Sequence, residues 1–189
     1  SNNFGSYDYW VIKINTQGDL LWEKSYGGSG IDVANSISVL PNKNFLILGY
    51  SFSNDFQISN SKGESDFWLI EIDKNGNLIK ENSFGGSLFD SGQDIVKGPS
   101  GSYFLTGFSQ SSDGNLTNNK GDNDAAILHL TSFKTIINTL NIGGSKTDMG
   151  ASSIFNHSGS LFVVGSSNSN DGDFTFSFGG SDLFVAKYD

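Results

Sequence analysis

The feature that most constrains this chain is a repeat that runs without insertion or deletion. Asp8, Asp66, Asp124 and Asp182 stand 58 residues apart, and the same step relates Gly5, Gly63, Gly121 and Gly179. It carries Gly27-Gly28-Ser29 onto Gly85-Gly86-Ser87 and Gly143-Gly144-Ser145, Asp32 onto Asp90 and Asp148, and Gly49 onto Gly107 and Gly165. So many coincident columns make each unit one supersecondary module that buries its apolar faces against its neighbours. The units are 8–65, 66–123 and 124–181, with a partial fourth at 182–189, and residues 1–189 read as one repeat region.

Each unit contains four strand-like runs bounded by turn residues. In the first they are 9–14, 20–26, 33–40 and 45–52; in the second 67–72, 78–84, 91–97 and 103–108; in the third 125–130, 136–142, 149–155 and 161–164. Asn75-Gly76 is a strong hairpin signal between the first two runs of the second unit. No segment keeps a helical period over ten residues. Composition agrees: 24 Gly, only 2 Pro and 16 Phe among 13% aromatics are the profile of strands punctuated by glycine turns. The expected fold is all-β, a β-propeller-like array of four-stranded antiparallel blades. The small column Ala34, Gly92 and Gly150 fits an innermost strand crowded against an axis. A β-sandwich is the competing fold, but it needs no strict period.

The units resemble the SBBP-type bacterial β-propeller repeat. The residues that carry the likeness are Gly27-Gly28-Ser29, Asp32, Ile37, Leu48-Gly49-Tyr50-Ser51, Ser53-Asn54-Asp55-Phe56 and Ser181-Asp182-Leu183-Phe184-Val185-Ala186-Lys187. The family's Asp-x-x-Gly-Asn turn is replaced by Asn42-Lys43-Asn44, Ser100-Gly101-Ser102 and Ser158-Gly159-Ser160, and its proline after the Asp-Phe pair is absent. The resemblance implies a secreted or cell-surface bacterial scaffold with no common enzymatic activity. Counted in the family's strand order, with the run at 33–40 innermost, the chain holds about three blades plus one extra third strand. The surplus points to a longer propeller, to chains that assemble to complete the ring, or to an open arc.

Net charge is −9 with no basic stripe, which opposes nucleic-acid binding. No apolar run is long enough to span a bilayer, and the stretch after Ser1 has no signal-peptide pattern. Without Cys there are no disulfides, thiol catalysis or Cys-type zinc sites.

Candidates for chemistry are few. His129 shares its column with Lys13, Glu71 and Lys187, which reads as a solvated strand position, and His157 lies in a tight turn. No catalytic residue is assigned. Asp32, Asp90 and Asp148 after Gly28, Gly86 and Gly144, together with Asp8, Asp66, Asp124 and Asp182, are read as structural motif residues that fix loops by accepting backbone N–H bonds. The oxygen-rich loops at Asp113-Gly114-Asn115 and Asp171-Gly172-Asp173 fail the EF-hand spacing, so no metal ligand is assigned and weak calcium binding is the remaining cofactor expectation. Trp10 and Trp68 share a column with Ala126 and Phe184 and read as core. Trp22 aligns with Lys80 and Asn138, an exposed column that suits an aromatic contact.

Strand alternation puts the two long polar loops of each unit on one face and the tight turns on the other. Binding residues concentrate on long loops held by a rigid scaffold, so Asp55, Asp113, Asp171 and Trp22 are the expected partner-binding residues. The expected function is a non-catalytic extracellular or bacterial cell-surface scaffold binding a protein or glycan. A propeller-fold polysaccharide hydrolase or lyase is the alternative, and it would need unique carboxylates facing the axis.

Overall fold

The computed structural model describes residues 3–189. Ser1, where the absence of a signal pattern was read, lies outside them. Thirteen strands follow one another: β1 (Tyr9–Ile14), β2 (Leu20–Tyr26), β3 (Asp32–Val39), β4 (Phe45–Ser51), β5 (Asp66–Ile72), β6 (Leu78–Phe84), β7 (Asp90–Lys97), β8 (Tyr103–Ser109), β9 (Asp124–Leu130), β10 (Ile136–Ile142), β11 (Asp148–Phe155), β12 (Leu161–Ser167) and β13 (Asp182–Tyr188). A single 3₁₀ turn lies at Pro99–Gly101. The strands form antiparallel meanders ordered β3-β4-β5-β6 and β7-β8-β9-β10, flanked by the two-stranded β1-β2 and the three-stranded β11-β12-β13. No sheet closes on another among the described residues, and no helix there is long and apolar enough to cross a membrane.

Several strands begin one residue earlier than the apolar pattern indicates, at the repeated aspartates, and β12 runs on to Ser167 rather than stopping at 164. The cause is backbone pairing that a polar side chain does not reveal: Asp32 N donates to Tyr7 O at 2.8 Å, and Asp90 and Asp148 repeat the bond to Ser65 and Asn123. These bonds extend short parallel bridges that stitch each sheet to the next.

Consecutive sheets pack face to face. β5 is buried along its whole length, and its alternation splits it between two seams. Phe67 and Leu69 pack with Leu105, Leu116, Ala126 and Leu128 of the following sheet, whereas Trp68, Ile70 and Ile72 pack with Tyr9 and Tyr26 of β1 and β2. Tyr9 donates its hydroxyl to Trp68 O at 2.9 Å, so its buried polar tip is satisfied.

The small column has a local cause. A Cβ on Gly92 would come within 2.7 Å of Gly49 O, and one on Gly150 within 2.7 Å of Gly107 O, because β7 lies against β4 and β11 against β8. Beside that column the register slips in all three sheets that contain it, between Ala34 and Ser36, Gly92 and Asp94, and Gly150 and Ser152. This recurring β-bulge turns polar side chains toward the neighbouring sheet. Ser36 Oγ and Ser152 Oγ each donate to Asp94 at 2.9 Å, and Ser153 N adds a third bond at 2.8 Å.

Two column readings need correction. Trp10 is 63% exposed although Trp68 is fully buried, because among the described residues no sheet lies on the outer side of β1. Glu71 is buried rather than solvated, paired with Lys80 at 2.9 Å and accepting from Asn44 Nδ2 at 2.6 Å. In the same column His129 stacks on Phe104 with ring centroids 3.9 Å apart, and burial pushes its pKa down.

A Cβ at Gly107 would overlap the Ser91 carbonyl across the β7–β8 ladder and meet Phe67 at 2.8 Å. Gly107→Ala is therefore expected to destabilise the fold by about 3 kcal/mol, the upper range of core overpacking, measured by urea denaturation with an unchanged m-value.

Candidate binding face

The loops on the long-loop side are tied down by one hydrogen-bond set used three times. Asp90 lies at the centre of the middle copy: Oδ1 accepts from Ser109 Oγ at 2.5 Å, while Oδ2 accepts from Gly86 N at 2.6 Å and Ser111 Oγ at 2.9 Å. Asp32 receives the same bonds from Ser51, Gly28 and Ser53, and Asp148 from Ser167, Gly144 and Ser169. The serine hydroxyl continues the chain, since Ser53 accepts from Gly30 N at 2.9 Å and Ser111 from Leu88 N at 3.1 Å. Each Gly-Gly-Ser loop is thereby fastened to the long loop that leaves the second strand of the next sheet.

Asp55, Asp113 and Asp171 belong to this fastening. Each accepts one backbone N–H at 2.7 Å, from Ser29, Ser87 and Ser145. These bonds hold the pKa of Asp55 and Asp171 below the ordinary value. The three residues lie on the long-loop side, where their carboxylates brace loops, so reversing their charge would untie those loops. Trp22 is half-buried on the other side: its Nε1 donates to Lys74 O at 3.3 Å and its ring meets Gly76 in the neighbouring short turn. His157 is exposed in the turn after β11.

Asp8, Asp66, Asp124 and Asp182 also hold loops, through Oδ2, which accepts from the backbone N–H of Phe4, Lys62, Lys120 and Phe178. The other oxygen is less well served. Oδ1 of Asp8, Asp66 and Asp124 is buried without a hydrogen-bond donor and lies over the first glycine of the Gly-Gly-Ser loop. At Gly85 a Cβ would collide with Asp66 Oδ1 and come within 2.6 Å of Asp90 Oδ2, so two buried carboxylates share the space that the glycine leaves. Burial raises the pKa of Asp66 and of Asp124 to about 6, and the neighbouring Asp90 and Asp148 add to the effect against the opposing charges of Lys62 and Lys120. Among the described residues no group of three or more acidic, His or Cys side chains could hold a metal ion.

Sequence reasoning missed an aromatic ladder on this side. Tyr50 and Phe52 of the first unit meet Phe89 at 6.0 and 5.6 Å, and Phe89 meets Phe108 at 5.9 Å. Phe52 and the adjacent Leu88 are 42% and 43% exposed. The signal was a break in the repeat: Phe52 aligns with Gln110 and Asn168, and Phe89 with Ile31 and Thr147.

No protein-family model matches the chain, and no curated protein matches it. Among solved structures it is similar to a protein of unknown function from Bacteroides caccae, at 16% identity and a TM-score of 0.51, over 84% of this chain and 47% of that one. It is also similar to a tryptophan-to-alanine mutant of Synechocystis apocarotenoid oxygenase, at 11% identity and a TM-score of 0.43, over 97% of this chain and 43% of that one. The chain thus spans about half the length of the structures it matches.

The raised carboxylates fix a pH dependence. Asp66 and Asp124 bind protons in the folded state near pH 6 but in the unfolded chain only near 3.8, so falling pH stabilises the fold across that window. The lowered Asp55, Glu71, Asp73 and Asp171 act oppositely, and their contribution is lost below about pH 4. The melting temperature should therefore be higher at pH 5 than at pH 7.5 and fall again in stronger acid. Asp66→Asn, which mimics the protonated group, should raise stability at pH 7.5 and shrink the difference between the two conditions.

Proposed function

We propose that this chain is a non-catalytic β-propeller-type scaffold, extracellular or at a bacterial cell surface, that binds a protein or glycan partner through its long-loop face. The observation that carries the reading is the ladder Tyr50–Phe52–Phe89–Phe108, with Phe52 and Leu88 exposed beside loops whose backbone amides are tied to Asp32 and Asp90. Exposed rings on a rigid support give contact area at little entropic cost. They are also the surfaces on which sugar rings and apolar side chains stack. The likeness to SBBP-type repeats supports the location. The opposite side carries short turns such as 41–44, 73–77 and 156–160, closed by their own Asn and Asp side chains.

Catalysis finds no matching support. Asp94 is the carboxylate that breaks the inner-strand pattern, standing where Ser36 and Ser152 occupy the other units, but three donors from two neighbouring strands use it as a brace.

The test is binding to a glycan array and to a panel of surface proteins, with Phe52→Ser/Leu88→Ser as the comparison. Both side chains are exposed, so the melting curve should hold while affinity for the bound partner falls tenfold or more, about 1.4 kcal/mol. A partner whose affinity is unchanged, or one docked on the short turns, would refute the assignment.

A further inference from the structure

The first glycine of the Gly-Gly-Ser loop sits between two carboxylates. A Cβ at Gly85 would strike Asp66 Oδ1 and stand 2.6 Å from Asp90 Oδ2, and no atom outside these two residues comes as near. At Gly27 the same point is contested by Asp8 Oδ1 and Asp32 Oδ2. Asp66 and Asp90 are 1% and 0% exposed, and Asp66 Oδ1 has no donor. The other charged groups about the pair are Lys62, on the loop before β5, and Asp113, whose Oδ1 lies over Gly86. Lys62 does not serve the orphaned oxygen: its backbone N–H bonds Asp66 Oδ2, and its ammonium donates to Ser83 O at 3.1 Å.

An oxygen buried in this way lacks the donors that water would supply, and a second carboxylate facing it adds repulsion. A proton on Asp66 Oδ1 removes both faults, because it turns the orphan into a donor whose facing acceptor is Asp90 Oδ2. We infer that Asp66 and Asp90 hold one proton between them, Asp66 Oδ1–H donating to Asp90 Oδ2, and that this proton is the clasp of the Gly-Gly-Ser loop. It is taken from solvent and returned to solvent. The loop hangs on the same acceptor: Gly86 N donates to Asp90 Oδ2 at 2.6 Å, and Leu88 N reaches it through Ser111 Oγ. With both carboxylates charged, moving the loop away relieves their repulsion; with the proton in place, opening breaks a buried hydrogen bond. Leu88 and Phe89 ride on this loop, so the clasp sets how firmly that part of the aromatic ladder is held.

The direction follows from linkage. In the closed loop Asp66 binds its proton near pH 6, through burial first and the charge of Asp90 in addition; in the open loop it returns toward 3.8. The proton therefore favours closure as the pH falls through 6, and its contribution is lost above that value. Between pH 7.5 and pH 5 the closing equilibrium gains about tenfold.

The test is amide hydrogen exchange at Gly86, Ser87 and Leu88, with rates corrected for the intrinsic pH dependence of exchange. These amides should be protected about tenfold more at pH 5 than at pH 7.5. In Asp66→Asn the side-chain amide donates to Asp90 permanently, so protection should stay at the pH 5 level in both conditions. Carboxyl carbon NMR reads the pair directly: Asp66 should titrate near pH 6 with a matching step at Asp90, and in Asp90→Asn its titration should move well below pH 6. Equal protection of the loop at the two pH values overturns the inference. So does a pH dependence that persists in Asp66→Asn, or an Asp66 that still titrates near pH 6 in a folded Asp90→Asn chain, where burial alone would then account for it. No partner enters these measurements, so their outcome is independent of the scaffold reading.

Discussion

The structure depends on a buried aspartate that answers to three donors at once. Asp90 takes one backbone amide of the Gly-Gly-Ser loop and two serine hydroxyls from the end of β8, all with little access to water. A carboxylate can be buried only where donors replace its hydration. The same requirement dictates Ser109 and Ser111, because no apolar residue there could satisfy it. Repeated at Asp32 and Asp148, the arrangement lets loops rich in glycine and serine hold one conformation.

The second family of aspartates shows what such a site costs when donors run out. Asp66 and Asp124 have one oxygen bonded and one buried without a partner, and their affinity for protons rises accordingly. The glycines at 27, 85 and 143 are required by this crowding, since any side chain would strike the carboxylates above them. One motif, Gly-Gly-Ser with its two neighbouring aspartates, therefore contains both a three-donor loop brace and a buried oxygen without a donor.

Much of the fold was legible because the period is strict. The strands, their meander order and the long-loop side follow from which columns repeat and which alternate. The roles of Asp32, Asp90 and Asp148 as acceptors of backbone N–H bonds could be read in the same way, since a residue needed in every unit points to the scaffold. Departures from the period were less legible. Phe52 and Phe89 touch across units, and no single column records that contact. Trp10 looked like core because its column is core, yet burial depends on a neighbouring sheet, which the described residues do not supply on the outer side of β1. Glu71 looked solvated because its column tolerates Lys, but Lys80 and Asn44 satisfy it locally. Asp55, Asp113 and Asp171 were placed on the correct side, whereas their backbone partners 26 residues earlier were invisible without coordinates.

Asp94 gives the array a property that its periodicity would deny it. Stacked identical modules ordinarily melt in a graded way, each responding to its immediate neighbours. Here one carboxylate receives bonds from β3 on one side and β11 on the other, so the first strands of three successive sheets are latched through a single residue. Opening any one of them strands a charge within the other two. The strands beside Asp94 thus form one cooperative block, while β2, β6 and β10 lie at the sheet edges farthest from the latch and take no part in it.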